Sequence, residues 1–156
     1  IWAPRNNAEL RNAIDEAIQY GGPSIIRYPK GKETKLPNAL KRKGGMDIIR
    51  LGRETVHWCL GPTIEEAIIH SNPSDVIIDL RKAKPINSDM LQAFSKTYSK
   101  WVVWEDAQSI GGVGAQLASW IAENNPNIQL IHKGYKDQFI GHGDSKELKK
   151  QNRPEV

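Results

Sequence analysis

The sequence predicts an α/β fold: three layers, α/β/α, built on a mostly parallel five-stranded sheet. Three observations predict it. From residue 46 onward, short apolar runs alternate with segments of helical period, as strands and crossover helices do. The run Val76 to Leu80 reads as a strand buried on both faces. A glycine turn, Gly111-Gly112-Val113-Gly114, separates the apolar run Trp101 to Trp104 from an apolar-striped helix.

Composition sets the outer bounds. The chain has 156 residues, 38% hydrophobic and 26% charged, enough for one domain with a core or a domain plus part of another. No apolar run approaches the roughly 20 residues that cross a bilayer, so no membrane partner is expected. Cys59 is the one cysteine and has no internal disulfide partner, which fits a reducing cytoplasm. The net charge of +4 is modest. The first residue is Ile1, so the chain is expected to be a fragment or a processed product.

Residues 6 to 20 carry Leu10, Ala13, Ile14, Ala17 and Ile18 on one face, predicting an amphipathic helix. Asn6 or Asn7 can cap it, and Gly21-Gly22-Pro23 ends it. Ser24 to Tyr28 is expected as a short strand, stopped by Pro29. Residues 32 to 45 are basic and poor in apolar side chains, which reads as an exposed linker. Strands are expected at Ile48 to Leu51, Val56 to Leu60, Val76 to Leu80, Trp101 to Trp104 and Ile128 to His132. Thr63 and Glu66 have capping-box spacing ahead of a helix to His70. Asn87 or Ser88 can cap a helix carrying Leu91, Phe94 and Tyr98, and a short polar helix spans Asp144 to Lys150.

The glycine turn is a candidate phosphate cradle, because helix N-termini bind anions. It holds only half of a dinucleotide fingerprint: Leu117 stands where the third glycine belongs, and the next strand does not end in an acid. A packing turn is the better reading. The four histidines, His57, His70, His132 and His142, show no metal-ligand spacing. His142, between two glycines, is the one expected in an exposed loop. Glu105 and Asp106 stand at a strand's carboxyl end, where α/β folds place ligands, and at most one of them can face a given crevice. Glu105 is therefore either a site residue or a hydrogen-bonded structural one. Lysines 30 to 43 lack interleaved aromatics, so a solvated stretch is expected rather than a nucleic-acid surface. Arg27 and Lys30 flank Tyr28-Pro29 and are candidate phosphate ligands.

Three blocks carry a resemblance. They are Gly22 to Gly31 (GPSIIRYPKG), Ile78 to Asn87 (IDLRKAKPIN), and Val103 to Asp106 followed by Ile110 to Gly114. Phe139 to Gly143 is a weaker fourth. In order and spacing they resemble the carboxyl-terminal part of 1-deoxy-D-xylulose-5-phosphate synthases, transketolase-like enzymes. The resemblance implies that residues 1–31 end a pyrimidine-binding domain, 32–45 form a linker, and 46–156 form a transketolase carboxyl-terminal domain. It implies a parent enzyme that uses thiamine diphosphate and Mg2+, bound outside this segment, and that acts as a homodimer on a phosphorylated sugar substrate. The segment alone would be inactive. The resemblance puts Lys30 where the family has its acceptor-phosphate arginine, with Arg27 beside it; Glu105, from its strand end, and His142, from its loop, are candidates for the site's edge. Lys82-Ala83, Asn87 and Asp106 depart from the family pattern. A transketolase, a 2-oxo acid dehydrogenase β subunit and a non-enzymatic dimerisation or regulatory module are the competing readings.

Overall fold

A computed structural model describes residues 1–29 and 35–152; for Ser145 and Lys146 only the backbone is described. Helix α1 (Asn7–Tyr20) leads. Strands β1 (Lys41–Lys43), β2 (Met46–Arg50) and β3 (Val56–Cys59) follow, then a 3-10 turn (Gly61–Thr63) and α2 (Ile64–His70). β4 (Val76–Asp79), α3 (Ser88–Ser95), β5 (Lys100–Gln108), α4 (Val113–Asn124), β6 (Gln129–Tyr135) and α5 (Ser145–Asn152) complete the order.

The sheet has six strands in the order β1-β2-β4-β3-β5-β6. Strands β4, β3, β5 and β6 run parallel, and β1 and β2 add an antiparallel margin. The sixth strand corrects the five-stranded expectation. Lys41–Lys43 lie inside the stretch read as linker, yet they pair with Met46–Ile48 across the turn at Gly44-Gly45. An edge strand needs no apolar side chains to pair its backbone, so its exposed Lys-Arg-Lys carries no apolar signal.

Alternation along the central strands builds two cores. Trp58, Ile78, Trp101 and Val103 face α3 and α4, where Leu91, Leu117 and Ile121 pack. Cys59, Ile77, Val102 and Trp104 face α2, where Ile64 and Ala67 pack. Trp58 meets Phe94 and Trp101 edge-on, at centroid distances of 5.2 and 5.0 Å. Such contacts add to plain area burial.

Two caps follow the expected chemistry. Asn6 accepts from Glu9 N at 2.9 Å, and Asn87 accepts from Met90 N at 3.0 Å. Two local expectations do not hold. Thr63 caps no amide of α2; its hydroxyl accepts from Leu60 N and bonds the carbonyls of Leu60 and Trp104, tying the 3-10 turn to β5. Ser24 to Tyr28 is not a ladder strand but meets Trp2 through one bridge at Ile26.

Helix α1 is rotated about its axis relative to its apolar pattern, so that only part of that face is covered. Glu9 and Ala13 are buried, while Ile14 is 43% and Ile18 is 72% exposed. The side facing the sheet is the ionic one.

Candidate functional site

Two buried carboxylates mark the carboxyl ends of the parallel strands: Asp79, closing β4, and Glu105, late in β5. Glu105 shares the parity of Trp101 and Val103, so it points at α4; Asp106 points the other way. The Glu105 Oε2 accepts from Val113 N at 2.7 Å. Its Oε1 accepts from Gly114 N at 2.9 Å and lies 2.5 Å from His132 Nε2. The carboxylate occupies the anion position that α4's amides offer. Burial pushes its pKa up, but the His132 bond and the two amides prevail and hold it below the ordinary value.

The glycines now have a physical reason. A Cβ on Gly112 would stand 2.5 Å from both Glu105 carboxylate oxygens, and one on Gly114 would overlap the His132 ring. Gly111 has φ +76°, the left-handed region that favours glycine. The turn therefore seats a protein carboxylate, not a phosphate.

Above this turn lies a cleft of about 540 Å3, within the size range of small-molecule sites. Arg27, Lys84, Glu105, Gln108, Ile110 and Gln116 are among its lining. The sequence-nominated Arg27 and Glu105 thus come together. Arg27 is held from behind, its Nη2 donating to Asp106 O at 3.1 Å and its backbone N to Trp2 O at 2.8 Å. His142 is exposed in the loop before α5 and is not among the cleft's lining. Lys30 lies outside the described residues. On the opposite face, Tyr135 donates to Asp106, whose carboxylate also lies 3.4 Å from Lys149.

The second carboxylate centre was not legible in sequence. Arg5 Nη1 bonds Asp47 at 2.6 Å and Asp79 at 2.7 Å. Arg42 pairs with Asp47 at 2.6 Å and Glu9 at 2.8 Å, and Arg81 with Glu9 at 2.7 Å and Glu16 at 2.5 Å. Lys82 closes the chain on Glu16 at 2.9 Å. This network fastens α1 to β1, β2 and β4. Burial drives the Asp79 pKa from 3.8 up to about 6 against the Arg5 guanidinium, and neighbouring Asp47 adds to the rise. Apart from Arg5 and Glu9, which stand at i,i+4, no spacing rule joins residues so far apart in the chain, and Arg81's left-handed φ of 57° is not announced by the sequence.

The remaining histidines have structural partners. His57 Nδ1 lies 2.9 Å from Trp104 Nε1, whose N–H can only donate, so His57 Nδ1 accepts and its proton sits on Nε2, 3.2 Å from Asp75. Burial lowers the His57 pKa and outweighs Asp75, keeping the ring neutral. His70 stacks on Trp104 at 6.0 Å. Burial raises the Cys59 thiol well above its ordinary value, so it is not a nucleophile here.

Comparison with known proteins fits this architecture. The family described as "Transketolase, C-terminal domain" matches residues 71–156, more than half of the chain. The chain belongs to that family. A transketolase C-terminal domain of this kind aligns with the 1-deoxy-D-xylulose-5-phosphate synthase of Aliarcobacter butzleri (strain RM4018), 32% identical over 94% of the chain and 26% of the relative. The synthase of Phocaeicola vulgatus is 34% identical over 95% of the chain and 25% of the relative. The chain thus spans about a quarter of the length of these curated relatives. A solved structure titled "Split gene transketolase, inactive beta4 tetramer" superposes with a TM-score of 0.79 and 21% identity, over 96% of this chain and 52% of that one. That likeness speaks to fold.

Transketolases and these synthases are thiamine diphosphate enzymes. The described residues of the transketolase C-terminal domain do not fit that cofactor. The α4 amides that could cradle a diphosphate hold Glu105, and no three His, Cys, Asp or Glu side chains converge for a metal among the described residues. No helix among them is long and apolar enough to cross a membrane.

Proposed function

We propose that this chain is the carboxyl-terminal part of a 1-deoxy-D-xylulose-5-phosphate synthase. The enzyme would condense pyruvate with glyceraldehyde 3-phosphate on thiamine diphosphate and Mg2+, releasing carbon dioxide, for isoprenoid and thiamine precursor synthesis. Residues 1–31 would end the pyrimidine-binding domain, 32–45 link, and 46–156 form the carboxyl-terminal domain. The observation that carries the reading is alignment over nearly the whole chain with relatives of that one name. It spans the Arg27-Tyr28-Pro29 block as well as the part matched by the family.

In this reading the cofactor segments lie outside these 156 residues, and the chain alone is inactive. It acts in the cytoplasm as part of a homodimer. Its contribution is mechanical and electrostatic: the ionic network holds α1 to the sheet, and Lys30 with Arg27 neutralises the acceptor phosphate. Glu105 and His142 stand at the edge of that site, Glu105 by ordering the α4 turn. Lysine supplies charge at position 30 without the bidentate fork of arginine.

The test assays the assembled enzyme with pyruvate and glyceraldehyde 3-phosphate against ketose phosphate donors. Carbon dioxide release with pyruvate supports the reading; activity only with ketose phosphates replaces it with the transketolase reading, with which the family match is equally compatible. Lys30→Ala should raise the apparent KM for glyceraldehyde 3-phosphate about tenfold, the loss of one charge-assisted contact. An unchanged KM removes Lys30 from the phosphate site.

A further inference from the structure

The sheet ends in two edges that are built differently. β1 is three residues long and its Lys-Arg-Lys side chains are exposed, a short charged edge of the kind that repels other strands. β6 is seven residues long, reads Gln-Leu-Ile-His-Lys-Gly-Tyr, and holds no proline and a single lysine. Gln129 N donates inward to Ser99 O, so by strand alternation the backbone groups of Leu130 and His132 point outward. Among the described residues those outward groups meet no further strand. Ile131, in the middle of this edge, is 44% exposed. A long edge with an apolar centre and little charge is a pairing surface.

The helix beside that edge fits the same contact. α4 lies over β5 and β6. Its Gly114 packs on the His132 ring of β6, while Trp120 reaches the other way, to Ser88 of α3 and the Trp101 ring. Gly114, Ala118 and Ala122 stand at i, i+4 and i+8, so the two alanines continue the flank that overhangs β6, and both are exposed. A second sheet continuing from β6 would set two α4 helices two strand spacings apart, about 9.5 Å. Packed helix axes lie roughly 8–10 Å apart, and small side chains suit so close an approach.

We infer that two copies of this chain join through β6, antiparallel about a two-fold axis at Ile131, into one continuous sheet. This gives a surface to the homodimer of the reading above, on which it rests. In this register Ile131 meets Ile131 of the second copy and Leu130 exchanges backbone bonds with His132. Lys133 lies opposite Gln129, so no like charges face each other. A register centred on His132 would instead set imidazole against imidazole and Ile131 against Lys133. A lone peptide strand would satisfy the edge but leave the alanine flank of α4 uncovered. A second copy brings an edge and a matching flank together, as a two-fold interface requires.

Sedimentation equilibrium of the chain, with neither substrate nor cofactor, is expected to show a reversible dimer. Ile131→Glu sets two carboxylates against each other on the axis and should raise the dimer dissociation constant about a hundredfold; Ile131→Lys should do the same. An equal mixture of these two variants should restore the dimer, because opposite charges then face each other. Ile131→Cys should cross-link two chains in oxidised glutathione, since a non-hydrogen-bonded pair holds its Cα atoms about 4.5 Å apart, and the native Cys59 is buried. Ala122→Arg should also dissociate the dimer, and Leu51→Glu, exposed beside β2, should leave it intact. Far-UV circular dichroism establishes that each variant is folded. A monomeric wild-type chain, a dimer that survives Ile131→Glu, or a mixture that stays monomeric overturns the surface. Equal dissociation by Leu51→Glu also overturns it, as an effect of general surface charge. The synthase reading is tested by carbon dioxide release, so the surface can fail while that reading stands.

Discussion

Asp79 and Glu105 are both fully buried carboxylates near the ends of parallel strands, yet their surroundings move them in opposite directions. Asp79 is met by one guanidinium nitrogen at 2.7 Å and by Arg81 N, with Asp47 close by, and burial wins. Glu105 is met by two helix-terminal amides and an imidazole, and the donors win. Amides at a helix start are already aimed and need no desolvation of a second charge, whereas a buried guanidinium must itself leave water. The network at Asp79 holds two chain segments together; the one at Glu105 shapes a turn.

The largest test of this contrast is Arg5→Met, which leaves Asp47 and Asp79 facing each other. It should lower stability by about 3–5 kcal/mol in urea unfolding, as removal of one partner from a buried pair does. A loss under 1 kcal/mol would mean that the network contributes nothing beyond its packing.

Gly112→Ala probes the other centre, forcing a methyl into the Glu105 carboxylate. A loss of roughly 1–3 kcal/mol is expected, and the double variant Gly112→Ala/Glu105→Ala should recover part of it. No recovery would mean that Gly112 is required by its backbone and not by Glu105.

The two carboxylates should also separate by pH. The folded pKa of Asp79 is raised, so its contribution is most favourable below 3.8 and is lost as pH rises through about 6. Asp79→Asn should therefore gain on wild type over that window, by on the order of 1–2 kcal/mol. Glu105 is lowered, so its contribution is present above the unfolded carboxylate value and is lost as pH falls through its lower folded one. Glu105→Gln should be less stable than wild type at neutral pH, by about 1 kcal/mol, and the gap should close in acid. The same slope sign for both variants would break the comparison.

The smallest effect is expected at the rim of the network. Lys82 and Glu16 are each about 30% exposed on their side chains, and Lys82→Gln should change stability by under about 1 kcal/mol.

Much of the fold was readable in advance, because strand parity and helical period are local properties. Val76 to Asp79 and Trp101 to Trp104 declare themselves by apolar runs, and Asn6 and Asn87 by capping chemistry. β1 was not readable, since an exposed Lys-Arg-Lys strand pairs through backbone alone. The Thr63-Glu66 spacing misled because Thr63's hydroxyl found Trp104 O, a partner from another strand. Of the site, Arg27 and Glu105 were nominated from strand ends and do share a cleft.

Helix α1 states the division most plainly. Its period determined that residues 7–20 form a helix, since periodicity and caps act within a few residues. Which side of that helix meets the sheet was decided by Arg42 and Arg81, arriving from elsewhere in the chain to claim Glu9 and Glu16. The glycine turn divides the same way. The sequence by itself determined a sharp strand-to-helix turn at Gly111 to Gly114. Only the tertiary structure decided that its anion is Glu105, because the carboxylate and His132 reach those amides through sheet register, and register is set by pairing between strands distant in the chain.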